Sequence, residues 1–269
     1  MNLFFAFAPA LLLACTALAE SAAAPTSLER GGASEFEVEL PAELRLVAGR
    51  GQLSPVAHAR VAIAVPSDFD PARDWPVLVI NFTSGPQRYP SRGLAAAYRD
   101  TALGAGWIVL AADPVEEVAV EKDDVALRYA LDLAALAVLK LQWSGAANAP
   151  LAFGGFSGGA KYSGWLAAAF ASRGRTIAGL YLAGINEDTV TPAARDFNVL
   201  SESYRRIPIF LQSGESDQVA TMADHRHVYD DLKRTGFRNV RIEHFSGGHT
   251  VYAPPLATAL DWFRQTLPR

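Results

Sequence analysis

Residues 151–170 read LAFGGFSGGAKYSGWLAAAF. The run opens on apolar residues, passes four glycines set around Ser157, and continues into an Ala-rich segment of helical character. A strand that enters a helix through G-x-S-x-G makes a sharp turn, with the serine at strained backbone angles and its hydroxyl projecting from the end of the sheet. Gly155 and Gly159 suit that turn, because larger side chains would clash where the helix folds back beside the strand. Gly158 supplies a backbone N–H at a helix start, where uncommitted donors and the helix dipole favour a developing oxyanion.

The segments around this turn set the architecture. Upstream, FEVEL at 36–40 and ARVAIAV at 59–65 place apolar residues on one face, as half-buried strands do, and read as an antiparallel opening pair. VLVINF at 77–82 is the continuous apolar run of a strand buried on both faces. Helical patterns at 94–106, from Asp123, at 158–172, in part of 192–206, at 218–235 and at 253–266 then alternate with strand patterns. Those strands are WIVLAA at 107–112, PLAFGG at 150–155, TIAGLYLA at 176–183, IPIFLQ at 207–212 and NVRIEHF at 239–245. Alternation of this kind predicts an α/β fold with a mostly parallel central sheet of about eight strands, an antiparallel N-terminal pair, and helices on both faces.

With 269 residues, half of them apolar, the chain is long enough for one domain with a sizeable core. Its net charge of −4, with Lys and Arg scattered rather than blocked, argues against a nucleic-acid partner. The start, MNLFFAFAPALLLACTALAE, is apolar over a stretch too short to span a bilayer and reads as an export signal, although no Lys or Arg stands near Met1. Two cleavage readings are open. ALA at 17–19 suits ordinary signal cleavage before Glu20, and LLAC at 12–15 resembles a bacterial lipobox that would leave Cys15 lipidated and the protein anchored to a membrane. Residues 20–34 are small and polar and read as a flexible leader, which puts the folded domain at 35–269. Cys15 is the only cysteine, so the exported domain has neither an internal disulfide nor a thiol nucleophile.

A serine hydroxyl is a poor nucleophile at neutral pH unless a base takes its proton and a carboxylate orients that base. Of the five histidines, His249 follows the last strand in a glycine loop, at the sheet edge where Ser157 is expected. His58, His225, His227 and His244 read as surface or packing residues. Asp217, on a glycine-containing loop after IPIFLQ, is the candidate acid, with Glu215 as competitor and a plain helix cap as the structural alternative. The order Ser157, Asp217, His249 is that of α/β-hydrolases. The paired acids at 123–124 and 230–231 read as solvated helix, and no clustered ligand set points to a metal or cofactor.

Over residues 59–267 the chain resembles the α/β-hydrolase superfamily, in particular bacterial secreted or periplasmic esterases related to dienelactone-hydrolase-like and polyhydroxybutyrate-depolymerase-like proteins. GFSGG resembles the nucleophile elbow, SGESD the acid loop and GGH the base loop, and VAIAVPSDFDPARDWPVLVINF the approach to the oxyanion region. The resemblance implies a carboxylic-ester hydrolase acting on a small-molecule or polymer ester. It also implies oxyanion N–H groups from Gly158 and, by position, from Thr83, with Ser84 as alternative. The sequence departs from the family at one place: Asn81 and Phe82 stand where His-Gly is common. That departure keeps a non-catalytic binding protein open beside the esterase, as the shared triad keeps a serine peptidase open. Segments 113–124 and 184–206 are candidate walls of the substrate site.

Overall fold

Among the described residues, 28–267, the computed structural model contains one sheet of eight strands. The candidate export signal, Cys15 and the leader up to residue 27 lie outside the described residues. In chain order the strands are β1 (Ala33–Glu39), β2 (His58–Ala64), β3 (Val77–Asn81), β4 (Ile108–Pro114), β5 (Leu151–Phe156), β6 (Ile177–Ala183), β7 (Ile209–Gly214) and β8 (Val240–Phe245). Their order across the sheet is β1-β2-β4-β3-β5-β6-β7-β8. β2 is antiparallel to both β1 and β4, and the pairings from β4 to β8 are parallel.

Burial follows the sequence patterns. Every residue of β3 to β7 is buried, whereas the edge strands β1 and β8 alternate exposed and covered positions. Ala33 and Ser34, assigned above to the leader, pair with Ala64 and Ile63 and open β1. The backbone ladder continues to the end of β2 whatever the side chains, so small residues there carry no signal of their own.

Among the described residues, seven α-helices accompany the strands: α1 (Ala42–Ala48), α2 (Ser91–Gly104), α3 (Val125–Gln142), α4 (Gly158–Ala171), α5 (Val190–Asp196), α6 (Met222–Thr235) and α7 (Pro254–Thr266). α2 and α7 cover one face through Leu94, Tyr98, Leu260 and Phe263. The other five cover the opposite face, where α3 buries Leu127, Leu131, Ala134 and Val138. Asp124 caps α3 by accepting the N–H groups of Ala126 and Leu127 at 2.8 and 3.0 Å.

The reading of Asp123 as a solvated acid is corrected here: it is buried and its two oxygens accept from Arg128 at 2.6 and 2.7 Å. A carboxylate one turn before a buried guanidinium follows it inside, because the pair is less costly to bury than either charge alone. Asp230 and Asp231, by contrast, meet Arg226, His227 and Arg234 on the outside of α6.

The two ends of the sheet differ. Its chain direction switches between β3 and β5, whose carboxyl ends open the crevice where parallel sheets take ligands. The described chain both starts and stops at the opposite end. Ala33 pairs with Ala64 there, and Thr266 and Leu267 line a cavity of about 550 Å³ with Thr176, Ile177 and Pro208, which lead into β6 and β7.

Candidate active site

Ser157 stands between the end of β5 and the start of α4, at φ 56° and ψ −122°. Its N–H donates to the Ala183 carbonyl at 2.8 Å, which pins the turn to β6. A Cβ on Gly155 would strike the backbone of Gly159, and a Cβ on Gly159 would collide with the Asn81 carbonyl oxygen. The two glycines therefore make room for the end of β3 as well as for the returning helix.

The structure brings Ser157, His249 and Asp217 together. His249 Nε2 lies 3.1 Å from Ser157 Oγ, and His249 Nδ1 lies 2.7 Å from Asp217 Oδ2. The other Asp217 oxygen accepts the N–H groups of Val219 and Ala220, each at 2.8 Å. Burial alone would raise the Asp217 pKa, but these N–H donors and His249 outweigh it and hold the carboxylate below its usual range. Glu215 is exposed at the rim, and the cap of α6 is Thr221 rather than Asp217.

Residues that the sequence did not single out hold this arrangement. Phe156 packs on the imidazole of His249 at a ring separation of 4.6 Å. Gly184, at φ 60°, is where a Cβ would sit 3.1 Å from both His249 Cε1 and the Phe156 ring. A Cβ on Gly214 would collide with the carbonyls of Gly247 and Gly248, so the base loop packs directly on the end of β7. Ser216 ties the acid and base loops together, its N–H and hydroxyl both donating to the Gly247 carbonyl at 2.9 and 2.8 Å. Glycines at strand ends are the only sequence signal for this, and they mark turns of any kind equally well.

The other histidines take no part in this chain. His58 lies 2.7 Å from Glu116, His227 meets Asp231, and His244 Nδ1 lies 3.1 Å from Ser213 Oγ. His225 is fully buried, and desolvation, then the neighbouring His244, lower its pKa to about 4.

The residues after β3 run directly over the start of α4. A Cβ on Gly158 would lie 3.3 Å from Thr83 Cα and 3.4 Å from Ser84 N. Thr83 and Ser84 thus stand beside the first N–H of the helix, a group that helical geometry leaves without an intrahelical acceptor. Asn81 is buried, and its side-chain amide donates to Asp132 at 3.3 Å. Phe82 fits its ring between Tyr89 and Phe156 at 5.5 and 6.1 Å.

Exposed apolar side chains surround these loops: Val120 against Gly85, Val219 and Met222 beyond Asp217, and Tyr252 stacked on Phe245 beyond His249. Among the described residues no group of three or more His, Cys, Asp or Glu is arranged to hold a metal, and no helix is long and apolar enough to cross a membrane.

No protein-family model and no curated protein matches the sequence. Solved structures do match the fold. Dienelactone hydrolase from Anabaena variabilis aligns over 88% of this chain and 99% of its own at 16% identity, with a TM-score of 0.56. A cold-adapted esterase from an Arctic intertidal metagenomic library aligns over 92% of this chain and 100% of its own at 15% identity, also at 0.56. An alpha-beta serine hydrolase homologue from Coxiella burnetii aligns over 79% and 94% at 15% identity, with a TM-score of 0.52. The eight-stranded order, the elbow between β5 and α4 and these likenesses give the chain the α/β-hydrolase fold.

Proposed function

We propose that the chain is a serine hydrolase that cleaves carboxylic esters through an acyl-enzyme. The unbroken hydrogen-bond path from Ser157 through His249 to Asp217, beside the first N–H of α4, carries this reading. His249 Nε2 takes the hydroxyl proton as Ser157 Oγ attacks the acyl carbon. The N–H groups of Gly158 and Thr83 face the negative charge that develops on the carbonyl oxygen. His249 then returns the proton to the departing alkoxide, and a water, deprotonated by the same imidazole, releases the acid and restores the serine. Asp217 holds the imidazole with Nε2 free to accept and stabilises the imidazolium. The apolar rim of Val120, Val219, Met222 and Tyr252 favours an ester with an apolar acyl or alcohol part, whether small or polymeric.

Purified protein should hydrolyse a short-chain nitrophenyl ester and take up a fluorophosphonate at Ser157. Ser157→Ala should lose both, and Asp217→Asn should lose about 10⁴ in kcat while Glu215→Gln stays near wild type. An inert wild type would favour the binding-protein reading, and faster cleavage of a matched aminoacyl anilide would favour a peptidase. Export remains a proposal from residues 1–19 alone. Mass spectrometry of the mature N-terminus separates an acylated start at Cys15 from an unmodified start at Glu20.

A further inference from the structure

We propose that Arg128 is a positioning residue for the oxyanion loop, holding the acceptors that fix both ends of residues 82–85. The inference rests on the serine-hydrolase reading above for its catalytic consequence. Its physical content is the hydrogen bonding behind the loop. Arg128 projects from α3 and is 1% exposed. Its Nη1 donates to Ser91 Oγ at 2.6 Å, and Ser91 Oγ accepts the N–H of Phe82 at 3.2 Å. Its Nε and Nη2 donate to the two oxygens of Asp123 at 2.6 and 2.7 Å, and Asp123 Oδ2 also accepts the N–H of Gly85 at 3.0 Å. One guanidinium thus fixes the acceptor for the first residue of the loop and the acceptor for the last.

A third strap runs over the middle. The Tyr162 hydroxyl donates its one proton to the Asp123 carbonyl at 2.5 Å and therefore accepts from Ser84 Oγ, 2.7 Å away. Asp113 completes the support, taking the N–H groups of Ser91 and Arg92 at 2.7 and 3.0 Å. The N–H groups of Phe82 and Gly85 are spent on this frame, and between them lie Thr83 and Ser84, over Gly158. The loop opens on Asn81-Phe82 and has its glycine only at the far end, Gly85 at φ 90°, so the course of Thr83 and Ser84 between is set from outside. An ion pair in the interior seldom stabilises a fold more than apolar packing does, and its directed hydrogen bonds are what it contributes here.

The test uses the full chain with Arg128→Lys, Ser91→Ala and Tyr162→Phe, measuring two quantities. The first is deuterium uptake of the segment spanning 82–85 against uptake of β5 and β6. The second is kcat, KM and the inhibition constant of a trifluoromethyl ketone, whose adduct on a serine carries the oxyanion. We expect faster uptake confined to 82–85 in all three variants. Removing one oxyanion donor costs about 10²–10³ in kcat, so we expect losses approaching 10² for Arg128→Lys, with KM within about twofold and the ketone weakened in proportion to kcat. Uptake at 82–85 equal to wild type, or kcat falling while the ketone binds as before, overturns the inference. Should Arg128→Lys fail to fold, Ser91→Ala and Tyr162→Phe decide by the same criteria. Should the wild type cleave no ester, the proposed function falls, and the uptake measurement still decides whether Arg128 holds the loop.

Discussion

Ser157 carries a positive φ of 56°, which a side chain with a Cβ adopts only under strain. Such a residue costs about 1–3 kcal/mol, and glycine escapes that cost while losing about 0.4–1 kcal/mol through a more flexible unfolded chain. Ser157→Gly should therefore be more stable than Ser157→Ala by roughly 1 kcal/mol, although neither has a nucleophile. Equal midpoints in guanidinium denaturation would show that the turn is relaxed. The hydrogen-bonded trio was legible at this scale because each member stands in a marked context: the serine between glycines, the acid past a buried strand, the histidine in Gly-Gly-His. Gly184 was not legible, since nothing in LAGIN says that a histidine from 65 positions later will need its space. Asp123 misled for the opposite reason. A pair of acids at the start of a helix reads as solvated, and only Asp124, which caps α3, is partly exposed.

Among the elements, α6 begins with reciprocal bonds: the Thr221 hydroxyl accepts the N–H of Asp224 at 3.2 Å, and Asp224 accepts the N–H of Thr221 at 2.9 Å. Thr221→Ala should cost about 1 kcal/mol in urea denaturation. It should leave kcat nearly unchanged, because Asp217 is held by its own bonds from Val219 and Ala220 rather than by the cap. A large fall in kcat would mean that the cap steers the acid loop. The strands buried on both faces were readable from their apolar runs, and the long helices from their period. α1, with 7 residues, is shorter than two turns of any pattern, and the region 192–206 gives only the short α5, begun two residues earlier at Val190. Its remainder is loop and a single tight turn at Tyr204–Arg206, whose local composition resembles helix without an apolar stripe.

For the molecule as a whole, two buried groups pull stability against pH in opposite directions. His225 sits at about 4 in the fold against 6.5 when exposed, facing His244, Asp217, Asp224 and His249. Between those values the unfolded chain binds a proton that the folded one refuses, so this contribution to stability rises with pH. Asp132, buried beside Asn81, Arg128 and Asp113, is pushed up by desolvation from 3.8 to about 7. Over that span the folded chain keeps the proton, so this contribution falls with pH. The two nearly cancel from pH 4 to 6.5. His225→Leu should expose the falling slope and Asp132→Asn the rising one, each differing from wild type by up to about 1.4 kcal/mol per pH unit. Urea titrations across that range check it, and parallel curves for all three proteins would sink the assignment. No sequence pattern announced these groups, because their shifts come first from burial, which packing against other elements creates. The placement of both ends of the described residues on one side of the sheet, away from Ser157, has a practical corollary. A carrier, a bead or a neighbouring domain joined at Ala33 or beyond Leu267 trails behind the end of the sheet where Ser157 stands, so a tethered molecule still offers Ser157 to a bulky strand or a solid surface lying in front of it.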